Sequence, residues 1–461
     1  MVTMIEIGGT KMKKPNVLFF FSDQQRWDTV GSYGQKLNIT PHLDQLAKEG
    51  TKFEYAFTCQ PVCGPARACL QTGKYATELG CYRNNIALPR DEKTIAQIFK
   101  EVGYQTAYVG KWHLSSNGGE SNEAIGEHYN FRTEAVPPER RGGYEDYWMA
   151  SDTLEFTSHG YDGYVFDKDM NKVEFTGYRT DCITDYALDF IKNRDEETPF
   201  FMFLSHIEPH HQNDRNQYEG PDGSKEKFKD YEVPGDLQDT EGDWRENYPD
   251  YLGCCERLDY NLGRVIQELK TQGIYENTVI IYTSDHGSHF KTRNSEYKRS
   301  CHEGCIRIPM IAHGPGFEGG KVIDELVSLI DIPATLLACA EVEKPEDMQG
   351  NRLQDLVLNT AKDWPQEVFL QISESQVGRA IRTKKYKYSV RAIHKNGNLD
   401  ANSDVYYEDY LYDLETDYHE KKNLVKDPAY TKIRAELNKI LIRRMTEANE
   451  EAPKIVQAPN K

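Results

Sequence analysis

The chain lacks any apolar run of membrane length. The run nearest its N-terminus, Val17-Leu18-Phe19-Phe20-Phe21, gives way at once to Ser22-Asp23-Gln24-Gln25-Arg26. A spanning helix needs about 20 apolar residues, and a secretory signal about 7–15 followed by a small-residue cleavage site. Lys11, Lys13 and Lys14 before the run give it only a superficial likeness to a signal, and it reads as a first buried strand. No membrane partner and a cytoplasmic location are therefore expected. Basic excess is missing too: 56 Lys and Arg stand against 74 Asp and Glu, a formal net charge of −18. That balance excludes a nucleic-acid binder with a broad basic face. There is no internal repeat and no low-complexity tract, which excludes solenoid and disordered classes. The ten cysteines have irregular spacing, so no disulfide framework is expected.

What is present is an alternation. Asn16–Phe21, Thr106–Val109, Phe200–Leu204, Val279–Tyr282 and Pro309–Ala312 read as strands, and Leu43–Glu49, Thr94–Val102, Arg179–Lys192, Tyr251–Thr271 and Val327–Ala338 as helices. Such alternation predicts an α/β fold, a mainly parallel sheet sandwiched by helices. After about Asp363 the pattern changes. Val368–Ile372, Gly378–Arg382, Tyr386–Val390 and Tyr410–Leu414 are successive short strands, with a closing helix over about Tyr430–Ala448. The expected division is a catalytic α/β domain at 12–362 and a small subdomain at 363–461, an antiparallel sheet plus helix. Ser115–Tyr178 and Gln212–Asn247 read as long excursions, the first with Tyr144, Tyr147 and Trp148 as either a stacking platform or its own packing.

Four strands run straight into chemically capable residues. Phe21 leads to Asp23 and Gln24, Val109 to Lys111 and His113, Leu204 to His206, His210 and His211, and Tyr282 to Asp285 and His286. Parallel strands place their carboxyl ends along one crevice, where open α/β sheets bind ligands. Taken singly, an Asp at a strand end is a turn former and a His a structural hydrogen-bonder. Together, Asp23 and Asp285 could hold a divalent cation beside a nucleophile.

Cys63-Gly64-Pro65-Ala66-Arg67-Ala68-Cys69-Leu70-Gln71-Thr72-Gly73 supplies that nucleophile. Pro65 suits a first helical turn and Gly73 a helix end, so Cys63 is placed at the N-terminus, where N–H groups and the dipole favour negative charge. Cys59 is also followed by proline two residues on, but has Cys63 where Cys63 has Arg67, and reads as structural. A zinc site from Cys59, Cys63 and Cys69 would lack the paired Cys-x-x-Cys spacing.

This run closely resembles the signature of the type I, formylglycine-dependent sulfatases of the alkaline phosphatase superfamily. The resemblance extends through Asp23, the Gly-Lys-x-His strand end at Lys111 and His113, the Pro-His loop at His210, the Asp-His-Gly at 285–287, and Lys298. It implies oxidation of Cys63 to formylglycine by a maturation enzyme, and a metal held by Asp23, Gln24, Cys63, Asp285 and His286. Calcium comes first. Gln24 stands where many members have a second Asp, and His286 where many have Asn, which makes the site less anionic and admits Mn²⁺ or Mg²⁺. The resemblance further implies Cys63, Arg67, Lys111, His113, His210 and Lys298 as catalytic. The hydrated aldehyde would attack sulfur, His210 would protonate the departing alcohol with His206 and His211 as alternates, and His113 would take a proton as sulfate leaves. Asn84, Asn85, His206 and His302 are candidate substrate contacts.

The implied function is hydrolysis of a sulfate monoester of a sugar or of an aryl or steroid alcohol. Two other readings stand beside it: a phosphonate monoester or phosphodiester hydrolase on the same scaffold, and an unmatured binding protein without catalysis.

Overall fold

The computed structural model of the protein describes residues 14–115 and 130–458. Residues 116–129 of the first excursion lie outside them. All seven residues of the first strand, β1 (Asn16–Ser22), are buried, so both of its faces need cover. Val17, Phe19 and Phe21 join a cluster with the helices Cys63–Thr72, Ile95–Glu101 and Ile332–Cys339. Leu18 and Phe20 join a second cluster with Pro41–Glu49, Arg179–Asn193 and Trp244–Thr271. Side-chain alternation in one strand thus sets helices on both faces of the sheet.

The other strands of this sheet are β2 (Thr51–Phe57), β3 (Gln105–Lys111), β4 (Tyr147–Ser151), β5 (Asp162–Asp167), β6 (Lys172–Thr176), β7 (Phe200–Ser205), β8 (Thr278–Ser284), β9 (Arg307–Ile308), β10 (Met310–His313) and β11 (Lys321–Ser328). Their order is β11-β2-β10-β8-β1-β7-β3-β4-β5-β6, with β9 beside β2. The centre, β8-β1-β7-β3-β4, is parallel. β10 is antiparallel to both β8 and β2, so β2 runs in the same direction as the centre. β11 is parallel to β2, so seven strands point to one edge of the sheet.

A second sheet is built from β12 (Glu367–Ile372), β13 (Gly378–Thr383), β14 (Tyr386–Arg391), β15 (Val405–Asp413) and β16 (Lys454–Val456). The first four are antiparallel neighbours and β16 adds a parallel edge. The helix Thr431–Glu447 packs on it through Leu437, Leu441 and Met445. A buried ionic cluster ties the sheets together: Glu303 lies 3.2 Å from Arg382 and 2.8 Å from Lys387, which also meets Glu420. The architecture is the α/β class expected from the sequence, with the smaller sheet and its helix.

Three expectations need correction. The helix read as Val327–Ala338 begins only at Ile332, because Val327 and Ser328 pair with β2 as the end of β11. The helix read from Tyr251 starts at Trp244, with Pro249 inside its second turn. Within the first excursion lie β4, β5 and β6, and Tyr144 and Trp148 are buried beside Tyr108. They are packing, not a platform for a ligand.

Candidate active site

Register brings the reactive strand ends together. Phe21 pairs with Ser205, Ser22 with Ser284 and Gly110 with Ser205, so the residues that follow share one patch. Gly110 has φ +103°, and a Cβ there would stand 2.0 Å from the carbonyl oxygen of Ser205. Only glycine allows β3 to approach β7 so closely. Beyond it, Lys111 ends the strand and His113 turns into the cleft at φ +58°. Gln24 and Arg299 are also left-handed, each at φ +70°. Backbone strain of this kind gathers where side chains must be aimed.

Cys63 opens the helix Cys63–Thr72, and Gly73 closes it at φ +73°. Its Sγ receives a hydrogen bond from Lys298 Nζ at 2.7 Å, donates towards Asp23 Oδ1 at 3.3 Å, and lies 3.3 Å from His286 Nε2. Lys298 Nζ is also 3.0 Å from His210 Nε2. Arg67, on the next turn, reaches under the nucleophile. It donates to Asp23 Oδ2, Ser205 Oγ and the carbonyl of Lys111. Lys111 Nζ stands between two carboxylates, 2.9 Å from Asp23 and 3.3 Å from Glu155.

Burial sets the protonation states. It opposes the charge on Asp23, but Lys111, His210, Arg67 and Lys298 together hold that carboxyl well below the usual range. Asp285 goes the other way, raised by burial and by the neighbouring charge of Asp23. His113 is pushed down to about 3 by burial and by Lys111, and is neutral at ordinary pH. His210 and His286 are lowered by burial and by Lys298. Burial and Asp23 push the Cys63 thiol up to about 12.

Asp23, Cys63, Asp285 and His286 offer ligand atoms all within 4.8 Å of one another. Two observations fit this set to a divalent cation. Asp285 Oδ2 is buried with no hydrogen-bond partner. His286 Nδ1 is 2.9 Å from the carbonyl of Gly287, which fixes the proton there and leaves Nε2 as a lone-pair donor facing Asp23 and Cys63. Gln24 Nε2 is anchored on the Tyr218 hydroxyl at 2.8 Å and reaches Ser288 Oγ at 3.3 Å, so its carbonyl oxygen is the end left for an ion. Beside the Cys63 sulfur, Asp23, Asp285 and Gln24 offer hard oxygens and His286 an imidazole, a mixture suited to calcium, manganese or magnesium. Cys59 and Cys69 do not join any such group among the described residues.

Above these groups lies a cleft of about 330 Å³. Cys63, His113, Glu155, His210 and Lys298 line its buried part, and Asn84, Asn213, Glu296 and Arg299 its outer part. Asn84 accepts from the Gly64 amide at 2.9 Å. Asn85 is exposed in a left-handed turn and does not line the cleft. Two other candidates are placed elsewhere. His206 is buried against Phe20 on the opposite face of the sheet, 3.4 Å from Thr184 Oγ1, because alternation along β7 turns Ser205 towards Arg67 and His206 away. His302 is buried between Ser300 Oγ and the Tyr412 hydroxyl, at the seam with the second sheet. His211 holds the Tyr297 hydroxyl at 2.8 Å and packs on that ring. Glu155 is a site residue that sequence reasoning missed: it follows β4, inside a stretch without visible periodicity.

Comparison with known proteins agrees with this geometry. The sulfatase family profile matches residues 15–342, and that of the C-terminal region of N-sulphoglucosamine sulphohydrolase matches 295–447. An ulvan-active sulfatase of Formosa agariphila is 29% identical over 95% of this chain and 82% of its own. An N-acetylglucosamine-6-O-sulfatase of Bacteroides thetaiotaomicron is 27% identical over 93% and 86%. The crystal structure of a sulfatase from Bacteroides fragilis, described as putative, superposes with a TM-score of 0.79 at 26% identity, covering 96% of this chain and 98% of that one. The chain is a sulfuric ester hydrolase and belongs to the sulfatase family of the alkaline phosphatase superfamily.

Proposed function

We propose that the protein hydrolyses a sulfate monoester of a carbohydrate, using formylglycine made from Cys63 and a divalent cation, calcium first. The observation that carries this reading is the set of contacts at Cys63 Sγ: Lys298, Asp23 and His286 all meet one atom at a helix N-terminus. The thiol sulfur marks the place that a hydrated aldehyde's oxygens would take. A sugar is favoured over a flat ring because the cleft lining is polar. Among the described residues its one Phe, Tyr or Trp, Tyr297, is buried and occupied by His211. The glycan named for each of the two curated relatives supports the same class.

Bound by Asp23, Gln24, Asp285, His286 and position 63, a divalent cation would supply Lewis acidity to the oxygens beside it. The chain's own groups do the rest. Arg67 fixes Asp23 and the end of β3 in place. Lys111 and Lys298 offer positive charge where negative charge grows on the sulfuryl oxygens. Lys298 Nζ lies 3.0 Å from His210 Nε2 at the cleft, so this pair would deliver a proton to a departing sugar oxygen. His113 is neutral, and its Nδ1 is buried without a hydrogen-bond partner, so it can accept the proton released when sulfate departs.

A cytoplasmic setting, in which a maturation enzyme meets the chain before or during folding, suits ten cysteines that are all unpaired. Mass spectrometry of the Cys63 peptide, from protein made beside a competent maturation system, tests the modification. A wholly unmodified thiol would favour the binding-protein reading. Turnover of sugar sulfates, an aryl sulfate and an aryl phosphonate monoester, compared as kcat/KM, tests the rest. Greater efficiency on the phosphonate would overturn the assignment.

A further inference from the structure

The walls of the cleft carry negative charge that the sulfate chemistry does not require. Glu155 is buried, lines the cleft and meets Lys111 Nζ at 3.3 Å. A carboxylate has about four acceptor positions, so most of its capacity is left for a ligand. Lys111 has Asp23 as its nearer carboxylate at 2.9 Å and Glu155 as its second. Glu296 is exposed at the outer wall. Arg299, the one cation of that wall among the described residues, is held by Glu296 at 3.1 Å and Glu374 at 2.5 Å. Glu374 also accepts from the Asn84 amide at 2.7 Å. Among the described residues, outside the groups that meet the ester, the wall holds Glu155 and Glu296 against Arg299, with Glu374 behind that arginine.

Resting on the carbohydrate sulfatase reading above, we propose that this is a single-anion cleft. It takes one sulfate ester on a sugar whose neighbouring substituents are uncharged. Glu155 accepts a hydrogen bond from a hydroxyl or amide N–H next to the ester. Together with Glu296 it repels a second sulfate or a carboxylate at that place. Two like charges a few ångströms apart at a partly wet protein surface interact strongly enough to discriminate by about tenfold, and the discrimination should weaken as salt screens the outer wall.

The test uses the matured enzyme and hexose monosulfates esterified at O2, O3, O4 or O6. The best of these is compared with the same sugar carrying a second sulfate on the nearest hydroxyl, and with nitrophenyl sulfate as reference. The wild type should favour the monosulfate in kcat/KM by about tenfold or more, mostly through KM, with a smaller ratio at high salt. Glu155→Gln should narrow that ratio severalfold, whatever it does to overall rate. Glu296→Gln, a substitution on the surface, should narrow it by less. Equal or better use of the disulfate by the wild type overturns the proposal without need of any variant, and so does a ratio that neither salt nor Glu155→Gln changes. Turnover of nitrophenyl sulfate but of none of the sugar sulfates would instead refute the carbohydrate reading on which it rests.

Discussion

Lys298 Nζ donates to Cys63 Sγ at 2.7 Å, across 235 positions of sequence. It reaches the nucleophile from the loop beyond β8, while Cys63 arrives from the loop beyond β2, and their meeting depends on both strands running the same way. Replacing Lys298 by Met should lower kcat/KM by about 10²–10³, the usual cost of one preorganised charge-stabilising donor, with the far-UV circular dichroism unchanged. Cys63→Ala should abolish turnover in the same folded state. Substantial residual activity in that variant would rule out position 63 as the nucleophile.

His210 Nε2 lies 3.0 Å from Lys298 Nζ, and as the proposed proton donor it should matter in proportion to the basicity of the leaving oxygen. His210→Ala is expected to cost about 10²–10⁴ on a sugar sulfate. The loss should be much smaller on nitrophenyl sulfate, whose phenolate leaves without a proton. Equal losses on the two would assign the proton to another group.

Removal of divalent cations should show in stability as well as rate. Asp23, Asp285 and His286 are buried and converge, and Asp285 Oδ2 has no hydrogen-bond partner. Exhaustive treatment with EDTA should lower both activity and thermal midpoint, and calcium at 100 times its dissociation constant should restore about 2.7 kcal/mol of stability. In Asp285→Asn the midpoint should no longer respond to calcium. A midpoint indifferent to EDTA and calcium in the wild type would argue against the ion.

Asp259 gives a pH prediction away from the cleft. It caps the helix Pro41–Glu49, accepting from the His42 and Leu43 amides at 3.1 and 2.8 Å. Burial raises its pKa to about 7, above the unfolded value of about 3.9. The protonated form is thus favoured by folding. Its contribution is complete below about pH 4 and is lost as pH rises through about 7. Asp259→Asn keeps an acceptor and never pays for burying the charge. The stability of this variant relative to wild type should therefore rise between pH 4 and pH 8, by about 4 kcal/mol, as followed by urea unfolding. A difference that stays flat across that range would place the titration elsewhere.

The sequence made the buried centre of the sheet legible because strands covered on both faces read as unbroken apolar runs, as in Val17–Phe21 and Phe200–Leu204. β2 is half-buried, and its Thr-Lys-Phe-Glu-Tyr pattern carries no such run. β11 breaks register between Ile323 and Leu326, where Asp324 and Glu325 intervene, which hides it. Pro249 looks like a helix boundary and is not one, since a proline early in a helix removes few of its hydrogen bonds. At the site, residue types and strand ends gathered Asp23, Lys111, His113, His210, Asp285 and His286, a helix-start motif gave Cys63, and Lys298 came only with the family resemblance. Side-chain direction did not follow from them. His206 and His210 are four residues apart in the same loop region, yet one is turned into the core by strand alternation and the other into the cleft. Glu155 is brought in by pairing between β3 and β4, and no local signal announces it.

Glu374 lies in the turn between β12 and β13, yet it grips Arg299 and the Asn84 backbone at the mouth of the cleft. The groups proposed to touch the ester come from the loops and the helix at one edge of the first sheet. Responsibility is thereby split: one part of the chain can keep its reaction fixed while a short turn in another is redrawn. Divergence in that turn, or its exchange between relatives, is a route by which such an enzyme could change what it accepts without relearning how to cut it.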